Sequence, residues 1–210
     1  AGGKGTRMLS QKAKVLQALG GRTMLYHVMT EANKISNKIS VVVGFDKEGV
    51  EEEIKKIGIN ANTYLQKEQI GTADAVKTTL KDVDKNEKIL ILYGDVPLIK
   101  EETLKKLCNQ KSDLSILTTN LENPTGYGRA LKDKENNVLG IIEEKDADLE
   151  QKKIKEIFTG ILVTKGSVLK KYIPEINNNN SAKEFYLTDL IGIAHKNGFK
   201  INTLSSSNEE

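Results

Sequence analysis

Three segments carry residue types suited to phosphate, a metal ion or a nucleobase. The chain opens Ala1-Gly2-Gly3-Lys4-Gly5-Thr6-Arg7-Met8. Gly-rich backbone can wrap a phosphate, because its N–H groups point inward and no Cβ blocks the approach. Lys4 and Arg7 would add charge against a crowded polyphosphate. The segment is neither a Walker A loop nor a full G-x-G-x-x-G fingerprint, so a Gly-rich terminus without a ligand is the competing reading. The second segment is Tyr93-Gly94-Asp95-Val96-Pro97-Leu98, where an apolar strand runs straight into an Asp. A carboxylate at the carboxyl end of a parallel strand suits Mg²⁺, which takes hard oxygen ligands together with substrate phosphates. A turn or capping Asp is the alternative. The third is Gln66-Lys67-Glu68-Gln69-Ile70-Gly71-Thr72. A Gln amide offers both donors and an acceptor, so it can match a base edge; a polar loop between strand and helix is the plainer reading.

The elements that must position these residues follow from periodicity. Leu25, Val28, Met29 and Ala32 recur at helical spacing, and Ile39–Val43 reads as a short buried strand. Asp46 is placed to cap a helix with the apolar face Val50, Ile54 and Ile57, stopped by Gly58. Asn62–Leu65 is a second strand, and Thr72 can cap a helix facing inward through Val76, Leu80 and Val83. Lys88–Tyr93 is the clearest buried strand; a helix through Leu104, Leu107 and Cys108 and a strand over Leu114–Thr119 follow. Strand and helix alternate through this half, the pattern of a parallel sheet wrapped by helices. Such sheets bind ligands at the carboxyl ends of their strands. Beyond Pro124, Gly126 and Gly128 the pattern changes. Ala130–Lys132 and Val138–Glu143 read as a hairpin, Ile157–Thr164 as a strand, Leu187, Leu190, Ile191 and Ala194 as a helix face, and Ile201–Leu204 as a last strand. This stretch is α+β in character and reads as a smaller lobe over the sheet edge.

Composition narrows the classes. A 210-residue chain can bury about 70% of its unfolded surface, so it needs no staples. One Cys excludes a disulfide framework, and two His without C-x-x-C or H-E-x-x-H leave no zinc pattern. Lysines and acids alternate, only three bases are Arg, and aromatics are 5%, which argues against a nucleic-acid surface. No apolar run is long enough to span a membrane. A single thiol in a Lys-rich chain fits the cytoplasm. Cys108 reads as a core thiol, and neither His27 nor His195 has a catalytic setting.

Seven motifs in register carry a resemblance. They are Gly3-Lys4-Gly5-Thr6-Arg7-Met8, Lys14-Val15-Leu16, Gln66-x-x-Gln69-x-Gly71-Thr72, Tyr93-Gly94-Asp95-Val96-Pro97-Leu98, Pro124-Thr125-Gly126-Tyr127-Gly128-Arg129, Glu143-x-Lys145-Asp146-Ala147 and Tyr186-Leu187-Thr188-Asp189. Over its whole length the chain resembles the pyrophosphorylase domain of bacterial bifunctional N-acetylglucosamine-1-phosphate uridylyltransferases. The resemblance implies a Rossmann-like nucleotidyltransferase fold with a mixed, mostly parallel sheet flanked by helices. It implies an enzyme of the cytoplasm that makes UDP-N-acetylglucosamine and pyrophosphate from UTP and N-acetylglucosamine 1-phosphate, supplying cell-wall and lipopolysaccharide synthesis. Arg7 and Lys14 would be catalytic. Ala1, Gly2, Gly3, Lys14, Gln66, Gln69, Gly71 and Thr72 would hold the nucleotide, Asp95 a Mg²⁺ ion, and Tyr93, Gly128, Glu143, Phe158 and Thr188 the amino sugar. Residues 1–120 would form the nucleotide half and 121–210 the sugar half.

Some positions depart from that pattern. Gly2 stands where Ala is usual, and Ala13 replaces the Pro before Lys14, which leaves Lys14 less pre-positioned. Thr23 also stands where Pro is common. Phe158 occupies a position that is Asn in the family, removing an amide that contacts the sugar. That favours a second reading, a related enzyme with altered sugar selectivity. A third reading is a catalytically weak nucleotide-binding module. The resemblance places one strand before Ala1, and a second metal ligand (an Asn) and an acetyltransferase domain beyond Glu210, and a homotrimer only if that domain is present. The expectation is a longer parent chain and a bare 210-residue piece that folds poorly, with strand edges left unpaired.

Overall fold

In a computed structural model of the chain, residues 12–206 are described. They fall into two compact units that interleave in sequence. One runs to Gln69 and takes in Leu92–Lys105; the other comprises Ile70–Ile91 and the chain from Lys106 onward.

The first unit is built on local signals. A two-residue hairpin pairs β1 (Ala18–Leu19) with β2 (Arg22–Thr23) across Gly20-Gly21, both at positive φ. Thr23 then caps α1 (Met24–Asn33): its hydroxyl accepts from Tyr26 N–H at 3.1 Å and donates to Glu53 at 2.7 Å. A side-chain oxygen there satisfies one of the orphan N–H groups of the first turn. β3 (Ser40–Val43) and β4 (Asn62–Leu65) pair in parallel, joined through α2 (Lys47–Ile57). Gly58 ends α2 at φ 76°, a left-handed cap that Gly adopts without steric cost. Leu25 and Met29 of α1, Val41 and Val43 of β3, and Val50 and Ile54 of α2 bury a common core with Ala13 and Val15.

The second unit holds a six-stranded mixed sheet. Its strands are β5 (Lys88–Ile91), β6 (Leu114–Asn120), β7 (Arg129–Lys132), β8 (Val138–Ile142), β9 (Glu156–Lys165) and β10 (Ile201–Ser205). β9 lies between β5 and β6 and is antiparallel to both, whereas β10 runs parallel to β6. β7 is antiparallel to β8 and to β9, so β5, β6, β7 and β10 share one direction and β8 and β9 the other. Three further helices belong here: α3 (Thr72–Lys77), α5 (Gly166–Tyr172) and α6 (Asp189–Lys196). The remaining helix, α4 (Glu101–Cys108), crosses the boundary between the units. Leu114, Ile116, Ile161, Leu162, Leu187, Leu190 and Ile191 are fully buried. No helix among the described residues is long and apolar enough to cross a membrane.

Three expectations are corrected. The first half does not pair its own strands into one parallel sheet, because β9 enters from the second half and separates β5 from β6. The helix starting at Thr72 stops at Lys77 instead of reaching Val83. The Thr78 and Thr79 hydroxyls bond back to the Ala75 and Val76 carbonyls at 2.7 and 2.8 Å, a local competitor to the helical ladder. Asp46 precedes α2 but does not cap it through its side chain; its carboxylate instead accepts the Ala13 N–H at 3.0 Å.

Candidate active site

Each unit gathers its own set of the expected residues. In the first unit the anchor is Ala13. It is fully buried and extended (φ −55°, ψ 142°), with its N–H bound to Asp46. A single 3-10 turn over Lys14–Leu16 follows and aims Lys14 outward. Its Nζ lies 2.7 Å from Asp95 Oδ2, joining residues 81 positions apart. Both side chains keep about a third of their surface open, 39% for Lys14 and 35% for Asp95. The pair is therefore accessible to a ligand rather than locked in the core.

Ala13 has the φ of a proline, yet its N–H is in use. A proline ring would remove this donor, so the hydrogen bond to a carboxylate is open to Ala13 and not to Pro. Gln66 follows the end of β4, donates its backbone N–H to Val43 O at 2.8 Å and is 4% exposed, whereas Gln69 is exposed. Tyr93 is half-buried, two residues before Asp95.

In the second unit, Gly71 sits at φ 136° against the chain at Phe185. A Cβ at Gly71 would lie 2.3 Å from the Phe185 carbonyl oxygen, so this close approach requires glycine. Gly71, not Thr72, is the N-cap of α3. The Thr72 hydroxyl instead accepts the Leu187 N–H at 2.8 Å. Thr188, 3% exposed, donates to Glu143 Oε1 at 2.9 Å. Burial pushes the Glu143 carboxyl above its ordinary 4.5; the Thr188 hydrogen bond opposes this, and Asp189 and Asp146 reinforce it. Tyr186, among the same carboxylates, is pushed up to about 12, chiefly by burial. Its phenol therefore remains a neutral donor across the physiological range.

Gly128 lies against Glu143, since a Cβ built on it would meet Glu143 Oε2 at 3.5 Å and Ile141 Cγ2 at 2.7 Å. Its carbonyl accepts the Phe158 N–H at 2.9 Å. Gly128, Glu143, Thr188 and the Phe158 backbone thus form one cluster. The Phe158 residue is only 5% exposed, so its ring is part of the interior. Ala1, Gly2, Gly3 and Arg7 lie outside the described residues.

Two features went unforeseen. Arg129 is 1% exposed, pairs with Glu144 Oε2 at 2.6 Å and donates from Nη1 to the Tyr127 carbonyl. Glu144 also accepts the Gly126 N–H at 3.2 Å, so the ion pair braces the turn that carries Gly128. A lone Arg beside glycines in a Lys-dominated chain was the available signal. The other is a bulge in β9, where Thr159–Ile161 oppose Leu117 alone and Gly160 takes φ 87°. The Thr159 hydroxyl donates to the Leu117 carbonyl at 2.9 Å and stabilises the kink. Bulges of this kind re-aim neighbouring residues beside functional sites, and Phe158 is that neighbour.

Other polar groups are accounted for without chemistry. His27 Nε2 meets the Leu19 carbonyl at 2.8 Å. Burial pushes the half-buried Cys108 thiol up, which keeps it protonated and inert. Among the described residues, no three His, Cys, Asp or Glu side chains form a group able to hold a metal.

Comparison with known proteins gives the family and the fold. The chain is 42% identical over 211 aligned residues to the bifunctional protein GlmU of Ruthia magnifica subsp. Calyptogena magnifica. The match takes in all of this chain and 46% of that protein, so the chain spans just under half the length of its relative. A solved structure named as a glucose-1-phosphate thymidylyltransferase of Bacillus anthracis, in complex with sucrose, superposes with a TM-score of 0.77. The superposition covers 99% of this chain and 85% of that one at 21% identity, which establishes a shared fold. Residues 1–147 match the model of the MobA-like NTP transferase domain, and the chain belongs to that family.

Proposed function

We propose that the chain transfers the uridylyl group of UTP to N-acetylglucosamine 1-phosphate and releases pyrophosphate. The observation that carries the proposal is the Lys14–Asp95 pair, a cation and a carboxylate at 2.7 Å in the unit that also holds Gln66 and Gln69. In the reaction a phosphate oxygen of the sugar phosphate attacks the α-phosphorus of UTP. The new P–O bond forms as the bond to the β-phosphate oxygen breaks, and the electron pair leaves on pyrophosphate. The nucleophile is already an anion, so no general base is required. Positioning and charge neutralisation do the catalysis.

Each residue has a role within that scheme. Lys14 stabilises negative charge on the phosphates, and Arg7 adds a second cation. Gln66 and Gln69 read the base edge; Gly71 and Thr72 continue the nucleotide subsite. Asp95 fits Mg²⁺ as one carboxylate among substrate oxygens and waters, the way this ion is usually held. The ion, when bound, supplies charge stabilisation and alignment of the phosphates. Lys14 must then exchange Asp95 for phosphate as substrates enter. Tyr93, Gly128, Glu143 and Thr188 contact the amino sugar. On this reading the enzyme acts in the cytoplasm on small molecules, and residues up to about 120 serve mainly the nucleotide and those beyond serve mainly the sugar. Any homotrimer would depend on an acetyltransferase domain in the parent chain.

The test is pyrophosphate release with UTP, N-acetylglucosamine 1-phosphate and Mg²⁺. The expected result is release that requires both substrates and is lost in Asp95→Asn. A second reading, an enzyme with different sugar selectivity, is favoured by one observation: a buried Phe158 at a position where the resemblance implies an amide. A panel of sugar 1-phosphates separates the two.

A further inference from the structure

We infer that the second unit carries a binding site for a short inorganic polyphosphate anion, in a lysine-lined cavity at the end of the sheet opposite Phe158. The inference concerns this unit alone and does not depend on the substrate assignment above.

Strand register assembles the site. β5, β9, β6 and β10 lie side by side. Lys88, the first residue of β5, faces Lys165, the last of β9. Thr164 faces Leu114 and Leu114 faces Ile201, so the next residues outward are Asp113 and Lys200. With Lys111 and Ser112 these residues line an open cavity of about 410 Å³. Phe158 and Lys165 stand near opposite ends of β9, which separates the cavity from the Gly128–Glu143–Thr188 cluster by on the order of 20 Å.

The cavity holds more positive charge than its surroundings neutralise. Like charges directly opposite on adjacent strands are destabilising, and Lys88 and Lys165 are each held by a local acceptor. Lys88 Nζ donates to the Cys108 and Gln110 carbonyls at 2.9 and 2.8 Å, and Lys165 Nζ pairs with Asp113 at 2.7 Å. An ammonium has three donors, so both keep capacity for a ligand. Lys111 and Lys200 are exposed, and their ammonium groups have no partner among the described residues. Four lysines thus face one aspartate. Elsewhere lysines meet acids singly, as Lys56 meets Glu52, Lys132 meets Glu156 and Lys155 meets Glu122.

The lining also sets the class of ligand. It contains no aromatic ring and no amide side chain, so it neither stacks on a base nor reads one. Lysines act on phosphate as point charges, without the planar fork of Arg. Four strands span three gaps, so the charges are spread over about 14 Å, which suits a chain of phosphates better than a single one.

The experiment is a titration of the intact protein with inorganic tripolyphosphate, read from the ¹⁵N-labelled amides of Ser112 and Lys165. Saturable shifts at both are expected, with an affinity that falls as salt rises. Lys111→Ala/Lys200→Ala removes two exposed ammonium groups and should weaken that affinity roughly tenfold. Lys111→Gln/Lys200→Gln repeats the test with longer side chains. Lys55→Ala/Lys56→Ala on α2 removes the same charge elsewhere and should leave the affinity nearly unchanged. Tripolyphosphate held at a nucleotide subsite would shift other amides, and those shifts should persist in the Lys111/Lys200 variants. No saturable shift at Ser112 and Lys165 would overturn the inference. Equal losses in the Lys111/Lys200 and Lys55/Lys56 variants would do the same, since net charge alone would then explain the binding. A single-stranded oligonucleotide that shifts the same amides at lower concentration would also overturn it, in favour of a nucleic acid.

Discussion

On the proposed function Lys14 and Asp95 carry the chemistry; the sequence pointed to both without revealing their contact, and it put Asp95 directly after a parallel strand, whereas β5 ends at Ile91 and pairs antiparallel with β9. Lys14 and Asp95 lie 2.7 Å apart, and the residue before Lys14, Ala13, is held by Asp46 through a bond that no periodicity announces. Removing one charge-stabilising donor from a preorganised site costs on the order of 10²–10³ in kcat. Lys14→Ala should lose activity on that scale in a steady-state pyrophosphate assay, with the fold unchanged by circular dichroism. Phe158 is the least legible residue. Its departure from the family was visible, but the burial of its ring was not. If the ring displaces a sugar contact, Phe158→Asn should raise kcat/KM for N-acetylglucosamine 1-phosphate about tenfold, since one restored hydrogen bond is worth roughly 1–1.5 kcal/mol. Equal values in the two proteins would remove Phe158 from the account of selectivity.

Glu143 gives the pH dependence. Its folded pKa lies above the ordinary 4.5, because burial disfavours the charged form. The folded protein therefore takes up this proton more readily than the unfolded chain. That contribution to stability is complete below the unfolded value and is lost as pH rises through the folded one. Glu143→Gln should accordingly stabilise the chain near neutrality relative to wild type, and the difference should vanish in acid; urea midpoints against pH measure it. If the sugar needs the carboxylate, the wild-type KM for sugar phosphate should climb as pH falls, beginning above pH 4.5, and the Gln variant should show no such limb.

At the scale of elements, the periodic signals were sound where the chain is locally self-consistent. β4 at Asn62–Leu65 and the left-handed Gly58 stop after α2 match their sequence expectations. Failures occurred where side-chain hydroxyls intervened. Thr72 left the cap to Gly71, and Thr78 and Thr79 truncated α3. Thr23 shows the opposite case, in which a hydroxyl starts a helix by a side-chain cap. Thr23→Ala removes the hydroxyl from both Tyr26 and Glu53. A loss of about 1 kcal/mol is expected from the missing cap, read as a lower urea midpoint at constant m-value. The β9 bulge was hidden because Thr159-Gly160 sits inside an apolar run that reads as a continuous strand.

For the whole molecule, the alternation of strands and helices identified the α/β class but not strand order. Register and neighbours are long-range properties: β9 inserts between β5 and β6, about 40 to 70 residues away in sequence, and local pattern does not encode that choice. The candidate site residues came from a different source, the seven motifs that stand in the order of the family the chain resembles. Two-substrate uridylyl transfer is checked by pyrophosphate release from the chain with Mg²⁺, UTP and N-acetylglucosamine 1-phosphate, each omitted in turn. Release is expected only when all three are present, and none from Asp95→Asn. Bound UTP with no pyrophosphate released from any pairing of nucleotide and sugar phosphate would contradict it.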